Sequence, residues 1–170
     1  MNFFIKVASK IRIPYKRKVA LEEKFFFQSN DLRGALICGF TPWQFSNLFI
    51  WGKAKHLEIV TGPTNCVGAV MEGVRETRLE NVLEKWSWYV VLMPTRSVEV
   101  EKVISFSRSQ IGKPYDDNFE KSDVAFYCSE LGKDAYNNAG YGLSYKGIVR
   151  PQEIVEDSKN FRKVYEVLNV

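Results

Sequence analysis

A chain of 170 residues is about one domain long and can bury a full hydrophobic core without disulfide or metal staples. Its composition, 45% hydrophobic and 26% charged, is that of a soluble globular protein, and no run approaches the roughly 20 apolar residues of a membrane span. The net charge is +4, but Lys6, Lys10, Arg12, Lys16, Arg17 and Lys18 all fall in the first 20 residues, where there is no acid; without those six the remainder carries −2, so nucleic-acid binding is not expected.

Residues 1–30 read as a basic and apolar N-terminal arm. Phe3, Phe4, Val7 and Ile11 can share one side of a short helix that Pro14 ends. Such a start either docks on a membrane surface or a protein partner, or packs on its own domain. Lys6, Lys10 and Arg12 interrupt the apolar start too early for a secretory core, so no cleaved signal and a cytoplasmic location are expected.

Residues 34–40 form a short buried strand, after which Thr41 and Pro42 begin a helix crowded with Trp43, Phe45, Leu48, Phe49 and Trp51. Residues 55–60 and 67–71 are two strands of a hairpin, joined by a connection rich in turn formers. Residues 88–93 are a third clear strand. Ser97 caps a helix carrying Val100, Val103, Ile104, Ser107 and Ile111 on one stripe, which ends at Gly112. Tyr127, Leu131, Ala135 and Ala139 recur every four residues on a helix that starts at Ser122 or Tyr127, runs to Asn138 and is closed by Gly140. Residues 161–170 lean to strand. Strands grouped in the middle with helices to one side make an α+β fold with an antiparallel sheet. Residues 31–170 are taken as its single domain.

The chemistry centres on Cys128. A thiol at a helix start faces unpaired backbone N–H groups and the positive end of the helix dipole, both of which favour negative charge. Cys38, in an apolar strand, and Cys66, in a turn, lack that setting. Three cysteines at these spacings match neither a disulfide framework nor a zinc site, and no cofactor or metal is expected. A nucleophilic thiol needs a base, and the sequence contains one histidine, His56. On an extended strand His56 and Glu58 share one face, while Leu57 and Ile59 face the core. A turn centred near Thr64 would place Glu72 opposite His56, where a carboxylate could fix the imidazole tautomer. Glu58 is the rival for that role; the other reading of both glutamates, and of Glu58 above all, is a solvated strand face. Tyr115, in the turn 112–116, can reach the same cleft and donate a hydrogen bond.

Taken together, these segments resemble the permuted, NlpC-type branch of the papain-like cysteine hydrolases, the YiiX-like amidases and peptidases. The resemblance lies in Lys55-His56-Leu57-Glu58-Ile59-Val60, Val70-Met71-Glu72, Gly112-Lys113-Pro114-Tyr115-Asp116, Phe126-Tyr127-Cys128-Ser129-Glu130-Leu131 and Pro151-Gln152-Glu153-Ile154, in that order over residues 30–165. It implies a circularly permuted papain-like fold with histidine before cysteine. Cys128 would attack an amide carbonyl of a small peptide or N-acyl substrate. His56 would act as base and then acid, Glu72 would orient it, and Tyr115 would contact the substrate carbonyl. Two departures stand out: Glu58 replaces a residue that is usually small, so that it could narrow the cleft, raise the His56 pKa or select a cationic group such as a free amine, and Gly132 replaces a larger apolar one, so that the helix is bent or closely packed. The alternatives are a lipid acyltransferase or phospholipase of the lecithin retinol acyltransferase-like type, and a non-enzymatic binding or structural module, for instance in a virus particle.

Overall fold

The computed structural model describes residues 15–42, 52–120 and 123–167. Helices expected over 1–13 and 43–51 lie outside these residues. In chain order the elements are α1 (Leu21–Ser29), β1 (Leu36–Phe40), β2 (His56–Val60), β3 (Asn65–Val70), β4 (Gly73–Arg78), α2 (Leu79–Leu83), β5 (Trp88–Pro94), α3 (Val100–Ser109), α4 (Cys128–Asn138), α5 (Pro151–Glu156) and β6 (Phe161–Val167). The strands form one antiparallel sheet in the order β4-β3-β2-β1-β5-β6. The expected α+β class, the hairpin and the strand reading of 161–167 agree with this arrangement.

The central strands β1 and β5 are apolar at nearly every position because both faces of the sheet are covered. On one face Leu36, Cys38, Leu57, Ile59, Val90 and Leu92 pack with Val103 of α3, Leu131 and Ala135 of α4, and Ile154 of α5. On the other, Ile37, Val60, Tyr89 and Val91 pack with Phe27 of α1 and with Leu79 and Leu83 of α2. The expectation of helices to one side is therefore corrected. Of the two alternatives for the arm, residues 15–30 pack on the domain: Arg17 and Glu23 form a bidentate ion pair at 2.7 Å, and Glu23 also accepts a hydrogen bond from Tyr89 Oη at 3.0 Å.

Other boundaries also move. Ser97 does not cap α3, whose N-cap is Glu99. Ile111 lies beyond the helix and is exposed. Strand β4 and helix α2 lacked the alternation or length that marks an element in sequence. The hairpin β3–β4 turns at Gly73, whose φ of +107° disfavours a side chain. A Cβ there would also sit 2.6 Å from the Lys113 carbonyl oxygen. That closeness lets the Val74 N–H donate to Lys113 O at 2.8 Å and ties the turn 112–116 to the sheet.

Candidate active site

Cys128 is the first residue of α4 and is buried with Leu131. Its N-cap, Tyr127, is extended and provides no side-chain cap, so first-turn N–H groups stay available to negative charge. The helix start is pinned by Ser129 Oγ, which donates to Val149 O at 2.8 Å, and by the Val149 N–H, which donates to Tyr127 Oη at 3.3 Å. One turn along, a Cβ at Gly132 would lie 2.8 Å from Leu57 Cδ2. The missing side chain lets α4 close onto β2 beside His56. Of the two structures considered for this glycine, close packing is the one observed.

His56 opens β2 and pairs with Gly39 of β1. A Cβ on Gly39 would fall 2.2 Å from the Trp86 ring, so the indole rests directly on the strand there. From that seat Trp86 meets the imidazole edge-on, with ring centroids 6.0 Å apart. His56 Nε2 lies 3.0 Å from Glu58 Oε1, and the Cys128 sulfur is within hydrogen-bonding reach of the ring. Burial works against the imidazolium, but the charge and hydrogen bonds of Cys128 and Glu58 outweigh it and hold His56 up to about 10.

The carboxylate comes from β2 itself. Glu58 is buried rather than on a solvated face, because the second sheet face is covered. It has room only because residue 68 is glycine: a Cβ there would lie 2.3 Å from Glu58 Oε2 and 2.5 Å from Oε1. Glu58 thus leans across onto β3 and turns Oε1 to His56. Glu72 does not take part. The pairs Ile59–Val67 and Val60–Cys66 centre the β2–β3 turn on Pro63, one residue earlier than expected. This moves the register by two and leaves Glu72 in the β3–β4 turn, more than half exposed and 3.8 Å from Arg75.

Tyr115 is brought to the start of α4 by a short parallel bridge to Phe126, with Asp116 N–H donating to Phe126 O and Phe126 N–H to Pro114 O, both at 3.1 Å. Burial and then the negative charge of Cys128 raise its ionisation, so the phenol keeps its proton as a donor. All three cysteines are free and buried. Cys66 lies within β3, not in a turn, and burial together with Glu58 pushes its thiol up. Burial and the charge of Cys128 do the same to Cys38. Among the thiols only Cys128 stands at a helix start. Sequence reasoning missed Trp86, Gly39 and Gly68; a glycine inside a strand does signal close approach of another group. It also missed Glu130, a buried first-turn acid raised to about 7 by burial and by Asp134.

A thiol at a helix start, an imidazole on a strand and a polar group behind it form the side-chain set of the papain-like cysteine hydrolases. The chain belongs to the permuted papain-like amidase family, YaeF/YiiX, C92, whose family model matches residues 32–167. Among solved structures, the crystal structure of the metalloprotein yiiX from Escherichia coli O157:H7 is similar in fold, with a TM-score of 0.63 and 23% identity over 79% of this chain and 97% of that one. No curated protein sequence matches the chain. Among the described residues no group of three His, Cys, Asp or Glu side chains could hold a metal ion.

Proposed function

We propose that the protein is a thiol-dependent amidase or peptidase that works through an acyl-enzyme on Cys128, on the NlpC-type pattern. The observation that carries this reading is the position of the lone imidazole, in reach of the Cys128 sulfur and hydrogen-bonded to the buried Glu58 carboxylate. The substrate class is a small peptide or N-acyl amide.

Cys128 Sγ attacks the carbonyl carbon as the thiolate of a thiolate–imidazolium pair. The carbonyl π electrons move to oxygen, and the N–H groups of the α4 first turn and the Tyr115 hydroxyl stabilise the resulting oxyanion. His56 gives its proton to the leaving nitrogen, the C–N bond breaks, and a thioester remains. Water then attacks that thioester, His56 takes the water proton, and the C–S bond breaks to release the carboxylic acid. Glu58 takes the orienting part: it holds Nε2 and so leaves Nδ1 to serve the sulfur.

The test compares labelling of Cys128 by an electrophilic thiol probe in the wild type, Cys128→Ala and His56→Ala. The label should sit on Cys128 and slow markedly in His56→Ala. Unchanged labelling of Cys128 in that variant would sink the dyad.

A further inference from the structure

Arg17 is the described cation of the basic run whose side chain is drawn into the fold: it is 18% exposed, against 73% for Lys16, and Lys18 is exposed. Its guanidinium is held in three directions. Nη1 and Nη2 donate to the two carboxylate oxygens of Glu23 at 2.7 Å, and Nε donates to Trp86 O at 2.6 Å. Glu23, buried on α1, is fixed in turn: Oε2 also accepts the Ala20 N–H at 2.8 Å, and Oε1 accepts the Tyr89 hydroxyl at 3.0 Å. Burial opposes the Glu23 carboxylate, but Arg17 and the Ala20 N–H outweigh it and hold its ionisation below the ordinary range.

A buried ion pair is a poor source of net stability, because desolvation consumes most of the attraction and apolar side chains would serve as well. What this one supplies is position. The guanidinium is a planar, rigid fork, so its double grip on Glu23 fixes where Nε points. Nε points at the backbone of the α2–β5 connection. The same connection is held again at Glu84, whose carbonyl accepts the Arg17 N–H at 2.8 Å and whose carboxylate pairs with Lys16 at 3.0 Å. From this connection the Trp86 ring lies on Gly39 and meets His56 edge-on. Residues 15–29 cover the sheet face away from α4, yet they reach the imidazole through a single tryptophan.

We propose that the Arg17–Glu23 pair positions the imidazole of the active site: through the Trp86 carbonyl and ring it sets the angle at which His56 meets Glu58 and Cys128, so that docking of residues 15–29 on the sheet is a condition of activity. This rests on the chemistry proposed above for His56. Arg17, Glu23 and Trp86 are positioning residues, since none of them meets the reacting atoms. Without the pair the Trp86 connection is free to shift, the indole lifts from Gly39, and the imidazole gains room to turn from Cys128. A misplacement of about 1 Å at a reacting group costs up to roughly a hundredfold in rate.

The test is a double-mutant cycle in the full chain. Arg17→Met/Glu23→Gln removes both charges together, since removing one alone would leave a buried charge unpaired. In this variant alkylation of Cys128 should slow by about tenfold or more, and the NMR midpoint of the His56 imidazole should fall by about one pH unit. Trp86→Leu should slow alkylation too, and adding the Arg17 and Glu23 changes to it should have no further effect. Arg17→Lys, which keeps the charge without the fork, should move both readouts the same way by less. A folded Arg17→Met/Glu23→Gln protein with the wild-type midpoint and rate overturns the proposal, as does an equal effect of the pair with and without Trp86. Wild-type values in Arg17→Lys overturn it even where the double variant does not fold. The midpoint is read without any reaction, so Cys128 labelling that is indifferent to His56→Ala would end the proposed chemistry while the midpoint still reports whether the pair orients the ring.

Discussion

Replacing Gly68 by alanine tests the carboxylate without touching any reacting group. The added Cβ would lie 2.3–2.5 Å from the three atoms of the Glu58 carboxylate, distances at which one side must move. The glycine backbone here has no positive φ, so alanine is tolerated by the strand. The mobile partner is the end of the Glu58 side chain, and it can leave only by abandoning His56 Nε2. A hydrogen bond to a charged group is worth about 1.5–3 kcal/mol, which corresponds to a roughly 10–160-fold drop in the stability of the thiolate–imidazolium pair. The strand itself should be little affected, because alanine recovers about 0.5–1 kcal/mol of backbone entropy relative to glycine. Iodoacetamide alkylation of Cys128 near neutral pH, followed by peptide mass, should slow by up to that factor, with little change in melting temperature. Wild-type alkylation at every pH in a folded Gly68→Ala protein would show that Glu58 does not support the pair.

The remaining outcomes concern His56, Glu72, Gly132 and Glu130. The single histidine gives one imidazole C–H signal, whose NMR midpoint should lie near 10 in the wild type and fall by roughly 1–3 pH units in Glu58→Gln. Because the folded value lies above the ordinary 6.5, the stabilisation from His56 is complete below 6.5 and is lost as pH rises through about 10; denaturant titrations across that window should show the wild type losing its margin. Glu72→Ala should leave alkylation unchanged and shift stability by no more than about 0.5 kcal/mol, as for any exposed residue; a large loss of reactivity would restore Glu72 to the site. Gly132→Ala sets an overpacking cost of about 1–3 kcal/mol against a helix-propensity gain of about 1 kcal/mol, so a modest net destabilisation with slower Cys128 alkylation is expected in parallel urea and alkylation measurements. Glu130 is raised to about 7, so its burial costs stability as pH rises from 4.5 to 7; Glu130→Gln should be more stable than the wild type at pH 8, by at most ~3 kcal/mol, and show no advantage at pH 4.5.

The order of elements around the site was legible because it depends on local chemistry. Tyr127, Leu131 and Ala135 mark one helix face, and that phase puts Cys128 beside the buried stripe, near the helix start, though the start itself was open between Ser122 and Tyr127 until the structure fixed it at Cys128. Alternation in β2 separates Leu57 and Ile59, both buried, from His56 and Glu58. One histidine in the whole chain leaves one imidazole to pair with the thiol. Each of these inferences needs only a few neighbouring residues or a count.

The carboxylate was not legible, because it depends on distances between strands. Centring the turn on Pro63 rather than Thr64 moved every cross-strand pair by two and sent Glu72 from a place opposite His56 to an exposed turn. Whether Glu58 faced water or protein depended on what covered the second sheet face, and α1 and α2 supply that cover from segments with weak periodicity. Sequence by itself determined which thiol and which imidazole could meet, since residue type and helix phase are local properties. Tertiary structure decided which carboxylate stands behind them, since three glycines, at positions 39, 68 and 132, leave the space into which Trp86, Glu58 and Leu57 pack.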